Sequence, residues 1–192
     1  MQGRFTRWSL RLVAALGIGL LALISFLGMQ QYTGNFHTVV EGEVYRSAQM
    51  TGSQLSDYTA KVGLKSVLNL RGAAPGADWY QAELADSARL GLTHADFALS
   101  ASREVTNEEA AQLIALMKAL PKPMLIHCKQ GADRTGLLSA LYLASIKGVD
   151  VDTADDELSI AYGHFSVPYL SAAYPMDISW NRLEVALNLP QN

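Results

Sequence analysis

The only cysteine of the chain lies in a short segment that combines a nucleophile with a loop suited to anions. Cys128 is followed six positions later by Arg134 and then directly by Thr135. Apolar residues precede the segment at 124–126, and mainly apolar residues follow it at 137–146. This pattern predicts a buried strand, a tight loop and a helix. A thiol and a guanidinium at the two ends of one loop suit chemistry on phosphate monoesters.

Each residue of this segment supplies a separate part of that chemistry. The thiolate of Cys128 is the expected nucleophile, and a helix N-terminus and a nearby cation both favour the charged thiolate. Gly131 and Ala132 are small, so successive backbone N–H groups can turn inward around an anion. Arg134 can hold two phosphate oxygens with its planar fork, and Thr135 places a hydroxyl near the sulfur. The expected phosphate-binding residues are therefore Lys129, Gln130, Gly131, Ala132, Asp133, Arg134 and Thr135.

This segment resembles the signature of the cysteine-based protein tyrosine phosphatases, in which a cysteine, five residues, an arginine and a serine or threonine follow one another. Upstream, YRSAQ at 45–49 and GLKSVLNLR at 63–71 look like the start of a small bacterial dual-specificity-type phosphatase domain. The matching blocks cover most of residues 40–150. The resemblance implies phosphoryl transfer to Cys128 followed by hydrolysis, without a metal or other cofactor.

Helices and short strands alternate in the elements that must position this segment. The pattern predicts strands within 38–45 and at 66–70 and 92–99, and helices at 52–61, 79–90, 106–120, 152–162 and 177–187. A capping box of Thr106 and Glu109 is expected to open the helix at 106–120. Alternation of this kind is typical of an α/β sandwich, and the family resemblance implies a mainly parallel central sheet flanked by helices.

Three carboxylates are candidates for the general acid, which must protonate the leaving oxygen. Asp96 lies at about the usual distance before the cysteine for this family, but the pattern around it predicts a strand. The loop that follows, 100–105, holds only Glu104 as a carboxylate. Asp133 lies inside the phosphate-binding loop, where some similar bacterial phosphatases carry KDRTG. Asp133 and Asp96 remain equal alternatives for the general acid. If it is not catalytic, Asp133 would form an ion pair that orients Arg134, and Asp96 would be an ordinary carboxylate at the end of a strand.

Other residues near these motifs carry separate predictions. The family resemblance implies that His127 supports the loop by hydrogen bonding. Lys129 resembles the lysine that phosphoinositide phosphatases carry after their cysteine, but Ala132 replaces the second lysine of that pattern. Arg71 can reach the site from the end of its strand. His164 is expected to pack or cap, and the four histidines lack the spacing of metal ligands.

The N-terminal sequence predicts a membrane anchor. Residues 12–29 are nearly all apolar, which is close to the roughly 20 residues that span a bilayer. Arg4, Arg7 and Arg11 precede them and no Lys or Arg follows until Arg46, so the catalytic domain is expected on the non-cytoplasmic, periplasmic side. A cleaved signal peptide is the main alternative, although no small-x-small pair follows the apolar run. The predicted divisions are a basic leader (1–11), an anchor (12–29), a linker (30–37) and a phosphatase domain (38–192).

The net charge of the chain limits the kinds of partner that are expected. The chain carries a net charge of −3, and without the three leader arginines the remainder carries −6, which disfavours nucleic acid as a partner. The expected partners are a phosphorylated protein, or a small or lipid phosphate ester, and the membrane. Alternatives are a phosphatase for lipid or inositol phosphates, a non-catalytic phospho-binding module and a rhodanese-like sulfurtransferase. The Arg134-Thr135-Gly136 ending argues against the sulfurtransferase.

Overall fold

The computed structural model describes residues 2–191. The first residue of the predicted leader, Met1, and the last residue of the predicted domain, Asn192, lie outside the described residues. Within residues 2–191, one long helix precedes five strands and six further α-helices. The helices are α1 (Gln2–Tyr32), α2 (Gly52–Val62), α3 (Asp78–Arg89), α4 (Asn107–Ala119), α5 (Asp133–Lys147), α6 (Val151–Asp155) and α7 (Tyr174–Ala186). The strands are β1 (His37–Val40), β2 (Val44–Ser47), β3 (Ser66–Asn69), β4 (Thr93–Asp96) and β5 (Met124–His127).

The strands form one sheet in the order β1-β2-β5-β3-β4. Among the described strands, only β1 runs antiparallel to its neighbour, β2, and the other three pairings are parallel. Register places Ser47 and Asn69 beside His127, and Asp96 beside Asn69. The carboxyl ends of four strands therefore meet at one edge. The predicted α/β fold with a mainly parallel sheet is confirmed.

Alternation along β5 divides the core between the two faces of the sheet. Met124 and Ile126 pack with α4, α5 and α7 in the larger cluster. Leu125 points to the other face, where it packs with Leu55 of α2 and with Val67. Because side chains in a strand point alternately to opposite faces, a short apolar strand buried on both sides delivers Cys128 to the sheet edge.

Local sequence signals place several helix ends correctly. Thr106 and Glu109 form the predicted capping box at the start of α4, and Thr51 forms another with Gln54 at the start of α2. A capping box satisfies two backbone N–H groups of the first turn. It depends only on residues three apart, which is why the sequence predicts it.

Two predicted elements differ in detail from the structure. The strand predicted within 38–45 is present as β1, but the chain then turns at Gly42, whose φ of +72° suits glycine, and continues into β2 as a hairpin. The single helix at 152–162 is divided: α6 begins after its cap Asp150 and ends at Asp155, and a separate 3₁₀ turn spans Ile160–Tyr162. The break lets the Glu157 side chain turn into the interior.

Helix α1 contains the predicted membrane segment. Arg11–Gln30 is long and apolar enough to cross a bilayer by length and composition, the same test that a signal sequence near an N-terminus passes. The described side chains of residues 11–26 are exposed, so this stretch does not pack into the domain core. The helix continues through Tyr32, into the predicted linker.

Candidate active site

The loop between β5 and α5 turns its carbonyl groups outward. The carbonyls of residues 129–132 accept hydrogen bonds from segments packed behind the loop: the Gln49 N–H (3.3 Å), the Asn35 side-chain amide (3.0 Å) and the Arg46 guanidinium (2.9 and 3.2 Å). The C=O and the following N–H of a trans peptide point in opposite directions. The N–H groups of residues 130–133 therefore face the inside of the loop, where an anion would lie.

Cys128 lies at the bottom of this loop. Its side chain is buried, and the Gly131 N–H donates to its Sγ at 3.3 Å. The hydroxyl of Thr135, in the first turn of α5, is also buried and has no hydrogen-bond partner among the described residues. The sulfur thus faces an N–H donor close to the N-terminus of α5.

Arg134 is held at the open end of the loop. Its Nη1 donates to the carbonyls of Leu70 (3.2 Å) and Leu99 (3.1 Å), which follow β3 and β4. Its Nε is buried without an acceptor in the part of the chain that the structure describes. The guanidinium is thus fixed by one nitrogen and keeps another donor available for a substrate oxygen.

A buried ion pair supports the loop from behind. Arg46 is fully buried, and its Nη1 donates to the carboxylate of Glu157 and, at 2.8 Å, to the Glu157 carbonyl. The ring of Tyr162 covers the guanidinium at 4.0 Å. Arg46 lies in the YRSAQ segment that carries the family resemblance, but no local signal identified Glu157 as its partner. The pair fixes the carbonyls of Gly131 and Ala132.

A second acidic residue lies behind β5. Glu83 of α3 accepts hydrogen bonds from His94 (2.8 Å), His127 (3.2 Å) and Gln49. Burial would raise the pKa of Glu83, but the hydrogen bonds from His127 and His94 outweigh it and lower that pKa to about 2. His127 is therefore held by α3, and its Nδ1 lies 3.4 Å from the Cys128 carbonyl.

Arg71 brings a second cation to the same edge of the sheet. Its guanidinium stacks on Trp79, 3.4 Å from the ring centroid, and donates to Gln49 at 3.0 Å. Burial lowers the pKa of Arg71, and the neighbouring Arg134 lowers it further, while Glu83 and Cys128 act in the opposite direction. The Arg71 guanidinium is therefore within electrostatic range of both Cys128 and Arg134.

Asp96 is held by neighbouring side chains at the end of β4. Its Oδ1 accepts a hydrogen bond from Asn69 at 2.7 Å, and its Oδ2 accepts one from the Tyr80 hydroxyl. The hydrogen bond to Asp96 raises the pKa of Tyr80 to about 12. Glu104, the third candidate, is about half exposed and lies 3.7 Å from Arg182. Both carboxylates have structural partners.

Asp133 is the first residue of α5 and lies beside Arg134 in the loop. It borders an open cavity of about 340 Å³, together with Gln130 and Ser102. Its Oδ1 lies 2.8 Å from Nδ1 of His164, for which the sequence predicts a packing or capping role. This contact joins residues 31 positions apart, and no spacing rule would have found it.

Gly131 is required where the loop touches the end of β2. Its φ is +73°, and a Cβ there would lie 2.5 Å from the Ala48 nitrogen and the Ser47 carbonyl carbon. We expect Gly131→Ala to push the loop outward and lower kcat/KM for an aryl phosphate by about 100-fold, because a displacement near 1 Å has that cost. Steady-state kinetics of the full chain measure it.

Gly148 supplies a matched control for this substitution. It has a φ of +72°, but nothing lies within 4 Å of the position that an added Cβ would occupy. Gly148→Ala therefore carries the backbone strain, about 1 kcal/mol, without the collision. Equal losses of activity in the two variants would contradict the close-packing explanation.

The fold and the loop define a cysteine-dependent phosphoric monoester hydrolase. The chain belongs to the tyrosine phosphatase family, whose model matches residues 27–160. The predicted family and enzyme class are confirmed. No curated protein is significantly similar in sequence to the chain.

Solved structures agree with this fold. TpbA of P. aeruginosa is 21% identical with a TM-score of 0.59, over 80% of this chain and 91% of that chain. A TpbA variant with serine in place of cysteine, in complex with phosphotyrosine, is 19% identical with a TM-score of 0.60, over 81% and 91%. The core catalytic domain of the PP-IP phosphatase Siw14 of S. cerevisiae is 23% identical with a TM-score of 0.58, over 80% and 93%.

Proposed function

We propose that this protein is a membrane-anchored phosphatase of the phosphotyrosine or dual-specificity type, acting through a cysteinyl-phosphate intermediate. The observation that carries the proposal is the loop at 128–134. Its carbonyls are tied outward, its N–H groups face inward, and Cys128 and Arg134 lie at its two ends. This arrangement binds three oxygens of a phosphoryl group and aligns sulfur with phosphorus.

In the first proposed step, the Cys128 thiolate attacks phosphorus and a sulfur–phosphorus bond forms. The bond from phosphorus to the leaving oxygen breaks, and that oxygen receives a proton from Asp133. The N–H groups of residues 130–133 and the Arg134 side chain hold the equatorial oxygens while charge shifts between them. In the second step, water attacks phosphorus, its proton goes to Asp133, and the thiolate leaves with inorganic phosphate released. The Thr135 hydroxyl, which has no partner among the described residues, is available to support the departing sulfur.

Asp133 is preferred over Asp96 as the acid because of their partners. Asp133 borders the open cavity beside Gln130 of the loop. Both oxygens of Asp96 instead accept hydrogen bonds from Asn69 and Tyr80, so neither is free to protonate a leaving group. Glu104 lies on the exposed loop near Arg182.

Asp133→Asn is expected to lower kcat for an aryl phosphate with a poor leaving group by about 100-fold, and much less for one with a good leaving group. General acid catalysis contributes on this scale when the leaving oxygen needs a proton. Kinetics of the full chain over a series of aryl phosphates measure the dependence.

Asp96→Asn is the matched control, since it is the same change at the other candidate. It should leave the dependence on the leaving group unchanged while lowering thermal stability, because the amide keeps only one acceptor oxygen for the two donors Asn69 and Tyr80. If Asp96→Asn lowered kcat mainly for poor leaving groups and Asp133→Asn did not, Asp96 would be the general acid and Asp133 the structural residue.

One observation favours a second substrate class, a lipid or inositol phosphate. Arg71 lies near the loop and Lys129 projects from it as an exposed cation, so a second phosphate would find positive charge. Siw14, a structural neighbour, is a PP-IP phosphatase, whereas TpbA was solved with phosphotyrosine. Arg71 is also held by Trp79 and Gln49, and in that position it can equally form one wall of a phosphotyrosine pocket.

A substrate panel tests the function. The full chain in detergent, with a chelator present, is offered a phosphotyrosine peptide, a phosphoserine peptide, an inositol phosphate and a short-chain lipid phosphate. We expect the phosphotyrosine peptide to have the highest kcat/KM. A preference for the inositol or lipid phosphate that Arg71→Gln removes would support the second class. Binding of phosphopeptide without hydrolysis would indicate a non-catalytic module.

The anchor would place this site close to the bilayer. At the end of the candidate span, the Gln30 side chain donates to the Ala161 carbonyl at 2.6 Å. Asn35 donates to the carbonyls of Gln130 and Tyr162, so few residues separate the span from the loop. Together with the basic leader, this supports a single-pass protein with its catalytic domain on the non-cytoplasmic, periplasmic side. Recovery of the uncleaved chain in the soluble fraction would contradict it.

A further inference from the structure

His164 is enclosed between two carboxylates at the edge of the proposed active site. Its side chain is buried, with 4% of the residue exposed. Nδ1 lies 2.8 Å from Oδ1 of Asp133, and Nε2 lies 3.2 and 3.3 Å from the two oxygens of Asp177. The ring thus joins the first turn of α5 to the first turn of α7.

These partners determine the charge of the ring. The ring faces Oδ1 of Asp133, which accepts a hydrogen bond whether or not Oδ2 carries a proton, and the two oxygens of Asp177, which also accept. Both ring nitrogens therefore donate, and only the imidazolium donates from both. Burial opposes that charge, but Asp133 and Asp177 outweigh burial and raise the pKa of His164. From α6, Asp155 also faces this group; burial and Asp177 raise the pKa of Asp155, and His164 lowers it.

We propose that His164, held between Asp133 and Asp177, is a positioning residue for the acid–base carboxylate of this phosphatase. The inference rests on the proposed function, because it concerns the proton that Asp133 carries. The hydrogen bond to Oδ1 leaves Oδ2 of Asp133 to carry that proton toward the leaving oxygen.

The imidazolium acts on both chemical steps without losing its own protons. When Oδ2 gives its proton to the leaving oxygen, the new carboxylate charge lies beside a cation. When water attacks the cysteinyl phosphate, the same Oδ2 takes the water proton, and the hydrogen bond from Nδ1 keeps it in place. Asp177 fixes the ring from the opposite side, as a buried carboxylate orients the histidine of a catalytic triad.

His164 also keeps Asp133 away from a competing partner. Asp133 directly precedes Arg134, and a carboxylate free to pair with that guanidinium would neutralise the cation that holds the phosphate. With Oδ1 bound to His164, the carboxylate is turned toward α7. The arrangement therefore separates the proton-carrying group from the phosphate-binding group within one loop.

The test uses His164→Gln and Asp177→Asn in the full chain, with Asp57→Asn as the control. Asp57 is an exposed aspartate of α2, on the opposite face of the sheet. His164→Gln is expected to lower kcat about 10- to 100-fold for an aryl phosphate with a poor leaving group. The loss should be several-fold at most for a good leaving group. KM and inhibition by inorganic phosphate should change little, because the glutamine amide can still donate to Asp133 and hold it away from Arg134.

The pH profile gives a readout that a purely structural role would not move. His164 is charged below its pKa, so activity toward the poor leaving group should fall as the pH rises through that value. Asp177 raises the pKa of His164, so Asp177→Asn should move this alkaline limb to lower pH. His164→Gln should remove it, and Asp57→Asn should leave it in place.

Two results would overturn the inference. One is an equal loss for good and poor leaving groups with a lower Tm, which would mean that His164 only holds α5 and α7 together. The other is an alkaline limb unmoved in both Asp177→Asn and His164→Gln. Failure of the proposed function is separately visible, because the wild-type chain would then hydrolyse no aryl phosphate, or Cys128→Ser would remain active.

Discussion

Cys128→Ser is expected to lower kcat/KM for an aryl phosphate by at least about 10⁴-fold, since losing a nucleophile costs this much or more. A serine hydroxyl is far less nucleophilic than a thiolate and is a poorer leaving group from phosphorus in the second step. The two atoms are close in size, so the fold should be retained. Phosphate release by the full chain, followed beside its Tm, measures both quantities.

Arg134→Lys is the comparison that separates binding from nucleophilic attack. A lysine keeps the charge but lacks the planar fork, and it cannot also reach the Leu70 and Leu99 carbonyls that fix the guanidinium. It should therefore raise KM and lower kcat, whereas Cys128→Ser should still bind phosphate esters. Turnover by Cys128→Ser within tenfold of the wild type would exclude the cysteinyl-phosphate mechanism.

Arg46→Met is expected to destabilise the protein by about 3–5 kcal/mol, the usual effect of removing one partner of a buried ion pair. The Glu157 carboxylate would be left buried without its cation, and the carbonyls of Gly131 and Ala132 would lose their donor. At roughly 2–4 °C per kcal/mol, Tm should fall by at least about 6 °C. Activity should fall as well, because the loop is no longer held from behind.

The double variant Arg46→Met, Glu157→Leu distinguishes these two contributions. It removes the unpaired charge, so it should recover part of the lost stability while the loop carbonyls stay without a donor and activity stays low. Near-UV circular dichroism on heating and aryl phosphate kinetics supply the two measurements. A double variant as unstable as Arg46→Met would show that the unpaired Glu157 is not the source of the loss.

Structural support for the loop comes from several separate segments. The segment after α1 supplies Asn35, β2 supplies Arg46, and the turn after β2 supplies Gln49. On the other side of the sheet, α3 supplies Glu83 to His127. An anion-binding loop concentrates N–H groups that repel one another, so outward carbonyls need partners of their own to keep its shape. Of these supports, the Arg46–Glu157 pair is the one that buries two charges, so removing one of its partners is the most informative test.

The strand–loop–helix around Cys128, the family and the α/β class could all be predicted from the sequence. These predictions depend on residues that are close in the sequence. The nucleophile, the small residues and the guanidinium lie within seven consecutive positions, and the helix caps at Thr51 and Thr106 join residues three apart. Such signals can be identified without knowing how the helices and strands pack together. The assignment of Asp133 or Asp96 as the acid stayed open, because both are carboxylates at suitable positions and differ only in their surroundings.

Which distant residues meet at the site depends on the tertiary structure. Arg46 reaches Glu157 across 111 positions, and Asp133 reaches His164 across 31. These contacts depend on how α6, α7 and the 3₁₀ turn fold back over α5. The helix predicted at 152–162 instead ends at Asp155, and Glu157, in the turn that follows, pairs with buried Arg46. A buried charge must be paired, and that requirement overrides local preference.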